Sequence, residues 1–217
     1  MDKNASILDH YNTTAELNWN LWEARNRSFL LLIVAISLAG VLANDDVLLG
    51  VVKSLCDQVT KVKCEQLAPG GTSYMMMHSV ILVLVCYYML TLYHRTASVI
   101  MSYKYMAELE KELRYGMGFA SGEVAFTREG EYYSGHRPRS FAVIKWLYAI
   151  IIGVLLCLCY FIRFNKDFTS AHGVAFAWSH AHTMMLLVDI IIGILTLLAF
   201  AFYVRASFNL GGAAKAE

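Results

Sequence analysis

Histidine, methionine and aspartate cluster at the start of one apolar segment near the C-terminus. His182, Met185 and Asp189 are spaced i, i+3 and i+7, which places all three on one face of a helix. Thioether and imidazole groups together suit copper, and imidazole alone suits haem or zinc. A carboxylate inside an apolar segment instead indicates an ion or proton path, or a hydrogen bond to a neighbouring helix. The spacing alone leaves these interpretations open.

A second apolar segment begins with the same types of residue. Met75 and His78 lie one helical turn apart, directly before "SVILVLVCYYMLTLY". If both segments start on the same side of a membrane, the two clusters meet at similar depth. We therefore expect an intramembrane polar site formed by Asp189, His182 and His78.

A metal centre is the alternative for the same region. Its ligands would come from the starts of both segments: His78, His180, His182, Met75 and Met185. Copper or haem would be the cofactor of such a centre, whereas the polar site requires no cofactor. No His-Glu-x-x-His motif and no nucleophile–base arrangement occurs in the sequence, so we assign no catalytic residues and do not expect an enzyme.

Asp189 is the most informative of these residues, because a carboxylate is costly inside a membrane. It lies roughly 9 Å beyond Thr183, the first residue of its apolar run, if that run is helical. Insertion scales put the penalty at about 2.5–3.5 kcal/mol near the centre of a span, and a partner in the interior of a helix bundle reduces it. The candidate partners are His182, His78 and Arg163.

Four apolar runs must position these side chains. Hydrophobic residues make up 58% of the 217 residues, and the mean hydropathy is +0.48. The runs cover residues 28–43, 74–93, 142–162 and 183–203, and each is close to the roughly 20 residues that cross a bilayer core. Since only helices and closed barrels satisfy their backbone in lipid, we predict an all-α polytopic membrane protein with four transmembrane helices.

The segments between the runs complete the predicted organisation. Residues 1–27 form a cytoplasmic amphipathic segment, and residues 28–203 form the transmembrane domain, with an outside loop at 44–73 and a cytoplasmic loop at 94–141. Residues 204–217 form a cytoplasmic tail. The second helix has no breaker before Gly116, so we expect it to continue into the cytoplasm. Gly40, Gly153 and Gly193 lie inside runs and permit close helix approach, as in a scaffold subunit.

The orientation follows from the lysine and arginine residues, most of which lie in the 94–141 loop and near the two ends of the chain. Such residues are retained on the cytoplasmic side. We therefore expect both termini in the cytoplasm, and an integral protein of the bacterial inner membrane. The formal net charge of +1 gives no indication of a nucleic-acid partner.

Two cysteines and four arginines carry further expectations. Cys56 and Cys64 fall in the outside loop, where an oxidising environment favours a disulfide. The predicted cytoplasmic segments carry basic residues suited to a protein partner or to lipid headgroups: Arg114, Arg128, Arg137 and Arg139.

Two stretches give the chain its family resemblance. These are "AELNWNLWEARNRSFLLLI", which leads into the first run, and "YHRTASVIMSYKYMAELEKELR", which leaves the second. In layout, over about half of the chain, the protein resembles small multi-helix transmembrane effectors and sensors of bacterial antiphage systems. The resemblance implies a homo-oligomeric, non-enzymatic sensor or pore in the lipid bilayer that answers to a cytoplasmic protein, and it carries over no individual residue.

Overall fold

Four long helices make up the described part of the chain. A computed structural model describes residues 3–42, 72–119, 139–172 and 180–209, together with positions 47, 50 and 54. The helices are α1 (Lys3–Leu42), α2 (Thr72–Met117), α3 (Arg139–His172) and α4 (His180–Asn209). Each is long and apolar enough to cross a membrane, and the described ranges contain no strand. The predicted all-α fold with four transmembrane helices is confirmed.

The predicted extension of the second helix is also present. α2 runs for 46 residues without a break, about 69 Å at 1.5 Å per residue, against a hydrocarbon core of about 30 Å. It ends where Gly118 adopts a φ of 72°, the left-handed conformation that glycine tolerates best. The amides of Gly118 and Phe119 bond the carbonyls of Tyr115 and Arg114, which closes the last turn.

The described residues fall into two compact units, each drawn from all four helices. Unit 1 comprises Met1–Phe29, Thr91–Ala149 and Ala201–Glu217. Unit 2 comprises Leu30–Leu90 and Ile150–Phe200.

The buried positions of α2 recur alternately every four and three residues. The series consists of His78, Leu82, Val85, Met89, Leu92, Thr96, Val99, Tyr103, Met106, Glu110 and Leu113. All of these residues are buried except Tyr103, which is half-buried. The mean spacing is about 3.5 residues, the repeat of helices that pack knobs into holes as in coiled coils. One face of α2 therefore points at its neighbours along nearly its whole length.

The other three helices follow the same repeat. In α1 it includes Thr14, Asn18, Leu21, Arg25, Ser28, Leu32, Ala35, Ala39 and Leu42. In α3 it includes Ala149, Ile152, Leu156, Cys159 and Arg163, and in α4 Asp189, Ile192, Thr196, Ala199 and Tyr203. Polar residues interrupt every one of these series. Polar groups at such positions fix the register between helices and usually lower stability.

In unit 1, α1 and α2 are joined by polar contacts. Tyr11 donates to a carboxylate oxygen of Glu110 at 3.0 Å, and the His10 ring bonds the Tyr105 hydroxyl at 2.8 Å. Glu110 is only 3% exposed, so this contact lies inside the α1–α2 pair. The sequence places these partners far apart, and the heptad faces bring them together.

In unit 2, glycines let α3 and α4 approach closely. A Cβ added to Gly153 would lie 3.1 Å from Cζ of Phe200, and one added to Gly193 would lie 3.3 Å from Cε1 of Tyr160. Each helix thus offers a glycine to an aromatic ring of the other, in an antiparallel arrangement. This confirms the expected role of Gly153 and Gly193, whereas Gly40 has no atom within 4 Å of such a Cβ.

Candidate functional site, an intramembrane polar layer

A buried ion pair joins α3 to α4 in unit 2. Arg163 donates from Nε and Nη2 to Oδ2 of Asp189, at 3.1 and 3.0 Å. The two side chains are 8% and 0% exposed. Oδ1 of Asp189 is buried and has no hydrogen-bond partner among the described residues. The guanidinium therefore holds one carboxylate oxygen and leaves the other without a donor from that part of the chain.

The heptad repeat explains why these two residues meet. Arg163 follows Ile152, Leu156 and Cys159 in the buried series of α3, and Asp189 opens the buried series of α4. Both charges are therefore directed into the core rather than towards lipid. A pair in this environment interacts strongly because water does not screen it, but removing two charges from water offsets much of the gain.

A narrow cleft lies beside the ion pair. It is lined by Ala39 of α1, by His78, Ile81 and Leu82 of α2, and by Cys159 and Arg163 of α3. The enclosed space is only about 10 Å³, room for roughly one water molecule. His78 of α2 contributes an imidazole to this cleft and Arg163 of α3 a guanidinium, whereas Ala39 of α1 contributes only a methyl group. The cleft exists because the small side chain of Ala39 does not fill it. We call His78, Arg163 and Asp189 the polar layer.

A second buried polar contact lies about two turns along α4 from Asp189. The hydroxyls of Tyr160 and Thr196 are 2.8 Å apart, and Thr196 also donates to the carbonyl of Ile192 at 2.8 Å. Tyr160 is the ring that packs on Gly193. The glycine contact and the hydrogen bond thus position the same tyrosine, which rigidifies the α3–α4 interface next to the polar layer.

The structure places several of the predicted site residues. Asp189 and His78 are buried in unit 2, and Met185 is half-buried. Of the three candidate partners of Asp189, Arg163 makes the ion pair. His182 and His180 lie in the first turn of α4 and Met75 in the first turn of α2, but their side chains are outside the described set. Their part in the site stays a prediction.

The surroundings of His78 bear on the metal-centre alternative. The imidazole shares its cleft with the Arg163 guanidinium, which is a permanent positive charge. This cation is not a metal ligand, although its charge is offset by the Asp189 carboxylate. Within the described side chains, no group of three His, Cys, Asp or Glu residues has the arrangement of a metal site. The copper or haem hypothesis therefore depends on the side chains of His180, His182 and Met75.

The other predicted positions are distributed differently. Cys56, Cys64, Arg128 and Arg137 lie outside the described residues, and Arg139 begins α3 with its side chain not described. Arg114 is half-buried in the last turn of α2, next to the C-terminal cap. The disulfide and the cytoplasmic basic cluster therefore remain predictions.

Two site residues were not selected by the spacing of the sequence. Arg163 was only one of three possible partners, and Ala39 gave no signal at all. The heptad phase of α1 and α3 contains the information, because Ala39 and Arg163 both continue a series of buried positions.

Comparisons of the chain with protein-family models, with curated proteins and with solved structures find no match.

Proposed function

We propose that this protein is a non-enzymatic membrane sensor that acts as a homo-oligomer, answers to a cytoplasmic protein partner, and passes ions as its output. The observation that carries the proposal is the buried pair of Arg163 and Asp189 in an apolar core. Replacing such a pair by well-packed apolar residues is often neutral or stabilising. Its presence therefore favours a functional role, and ionisable residues inside spans typically belong to ion paths or to elements that move.

The long helices support a link between partner and output. α1 and α2 each contribute residues to both units. We expect a change near Tyr11 or Glu110 to reach the heptad positions of unit 2 along α1 and α2, because each of these helices continues through both units. This gives a partner bound to unit 1 a mechanical route to the polar layer.

The end of α2 offers a surface for that partner. Tyr115 is 91% exposed, and Met117 is also exposed one turn beyond the buried Leu113. Arg114 directly precedes Tyr115 along the chain. Tyr, Met and Arg are enriched at the centres of protein interfaces, so this helix end suits a protein more than it suits water alone.

The homo-oligomer is supported by the surface of the spans. No more than 39% of the most apolar window of any described span is buried within the single chain. Lipid or further copies must cover the rest, and Gly40, with open space beside it, permits a neighbouring helix to approach closely. A role in antiviral defence follows from the resemblance in layout and forms part of the same proposal.

The test uses the purified full-length protein. Native mass in a mild detergent reports the subunit number, and proteoliposomes loaded with an ion-sensitive dye report flux. We expect an oligomer that conducts, and a changed flux for Asp189→Asn. Glu16→Gln is the matched control, because it removes an exposed carboxylate of α1 and leaves the pair intact. A strictly monomeric protein without flux, for wild type and both variants, would overturn the proposal.

A further inference from the structure

One layer of unit 1 concentrates positive charge. The segments 21–29, 91–99, 143–149 and 201–208 carry five arginine and lysine residues against one carboxylate, Glu23. We call these five the boundary cluster: Arg25, Arg27, Arg95, Lys145 and Arg205.

Contacts between all four helices show that these segments share a layer. The Phe29 ring contacts the Tyr148 ring, and Tyr93 contacts Phe202, with centroids 5.3 and 5.8 Å apart. Trp146 contacts Phe208 at 4.2 Å. The contact of Arg95 with α1 and the Phe29–Tyr148 pair connect α1 to both α2 and α3. The other two ring pairs connect α4 to α2 and to α3. The five charges therefore lie at one level of unit 1.

Two residues of the cluster donate hydrogen bonds to backbone carbonyls. Arg95 donates to the carbonyl of Ala24, and Lys145 donates to that of Ser207 at 3.1 Å. Nε of Arg25 is buried at a heptad position, and no described atom accepts a hydrogen bond from it. Arg27 and Arg205 are exposed. No described carboxylate forms an ion pair with any of the four arginines.

Carbonyl groups orient cations but leave their net charge in place. At physiological ionic strength charges repel over about 8 Å in water and further where protein excludes it. The cluster is therefore left with an excess of positive charge that an anion would relieve. Arginine binds phosphate oxygens in bidentate fashion, which makes a phosphate group the matching anion.

Aromatic residues at the same level indicate where that phosphate comes from. Trp22, Trp146 and Tyr148 are exposed within a few residues of the cluster. Tryptophan and tyrosine are enriched at the headgroup level of membranes, and positive residues at the cytoplasmic boundary. We propose that the boundary cluster binds a phosphate group, with Arg25 and Arg95 holding it between α1 and α2, and that an anionic phospholipid supplies it.

The experiment uses the full-length protein in nanodiscs of phosphatidylcholine, with and without phosphatidylglycerol. Native mass spectrometry counts retained phosphatidylglycerol, and thermal unfolding reports the stabilisation it gives. We expect Arg25→Gln to lower retention about fivefold, since a juxtamembrane cation contributes roughly that factor. Arg25→Lys should lose less, because its charge remains. Lys104→Gln is the control, since it removes an exposed cation of α2 that lies outside the cluster.

Further measurements distinguish a phosphate from lipid from a soluble phosphate, and a variant that fails to fold from a proposal that is wrong. Inorganic phosphate added to phosphatidylcholine nanodiscs, at the same ionic strength as a chloride control, tests a soluble ligand. Stabilisation by phosphate equal to that by phosphatidylglycerol would support the site and assign it to a soluble anion. If Arg25→Gln does not fold, Arg27→Gln provides the same comparison from an exposed position. The proposal would be overturned if Arg25→Gln, or Arg27→Gln in its place, retained as much phosphatidylglycerol as wild type. It would also be overturned if Lys104→Gln lost as much phosphatidylglycerol as the cluster variant.

Discussion

Arg163 and Asp189 are held together through a single carboxylate oxygen, which accepts from both Nε and Nη2 of the guanidinium. The residues are 26 positions apart and belong to different helices, yet each occupies a buried heptad position of its own helix. The pair therefore fixes the register of α3 against α4 as well as joining them.

Breaking the pair from one side should destabilise the protein strongly. Asp189→Asn leaves the guanidinium buried without its counter-charge, and removing one member of a buried pair costs about 3–5 kcal/mol. Arg163→Leu/Asp189→Leu removes both charges and should recover most of that loss. Thermal unfolding in a mild detergent, followed by circular dichroism, measures the difference.

The control for this comparison is Cys157→Ser, an exposed substitution on α3. It should leave unfolding unchanged. If Asp189→Asn unfolds at the wild-type temperature, the pair is not a buried interaction in the membrane-embedded protein.

The helices were predictable because long apolar runs admit few alternatives in lipid. The end of α2 was close to predictable as well, since Gly116 and Gly118 stand where the helix stops and Gly118 takes the left-handed conformation. The start of α1 was not. Its first residues are polar, and the contacts of His10 and Tyr11 with α2 supply the packing that extends the helix to Lys3.

The polar layer was only half predictable for a similar reason. Depth counted along α4 identifies Asp189 as intramembrane, but it does not say which residue of another helix stands at the same level. That depends on the register between α3 and α4, to which the contacts of Gly153 and Gly193 contribute together with the ion pair itself. Spacing within one helix contains no such information, so Arg163 could not be separated from the two histidines.

Substitution by alanine should change the free energy of unfolding differently at the glycines of the α3–α4 interface and at Gly40. In Gly153→Ala the new Cβ would lie 3.1 Å from Cζ of Phe200, so the ring must shift. Overpacking of this kind costs about 1–3 kcal/mol, and Phe200→Leu in the same chain should restore part of it. Gly40→Ala meets no described atom of its own chain, so the single chain should gain up to about 1 kcal/mol from helix propensity, and a loss would come from contact with a neighbouring copy. Chemical unfolding in detergent ranks the variants, and equal effects at Gly153 and Gly40 would contradict the interface.

The Tyr160–Thr196 contact predicts an asymmetric mutant pair. Tyr160→Phe removes one hydroxyl, and Thr196 keeps its bond to the carbonyl of Ile192, so the loss should be about 1 kcal/mol. Thr196→Val leaves the buried tyrosine hydroxyl without its partner and should cost more, about 1–3 kcal/mol. In the double variant both hydroxyls are absent, so its loss should be smaller than the sum of the two. A double-mutant cycle by thermal unfolding checks this, and strict additivity would show that the hydroxyls do not interact.

Replacing Asn18 should raise stability, in contrast to the substitutions of Tyr160 and Thr196. It is 5% exposed at a heptad position of α1, and its Oδ1 accepts no hydrogen bond from the described residues. Asn18→Leu should therefore raise the free energy of unfolding, by about 1–3 kcal/mol, because an unsatisfied buried acceptor is replaced by an apolar side chain. Because a polar heptad residue specifies register, the same variant should allow α1 to slip against α2, which cysteine cross-linking between positions 10 and 105 would detect as a lower yield. Asn20→Leu, exposed on the same helix, should change neither quantity. A loss of stability in Asn18→Leu would mean that the asparagine is hydrogen-bonded, through water or through residues outside the described ranges, and contributes to holding α1 on α2.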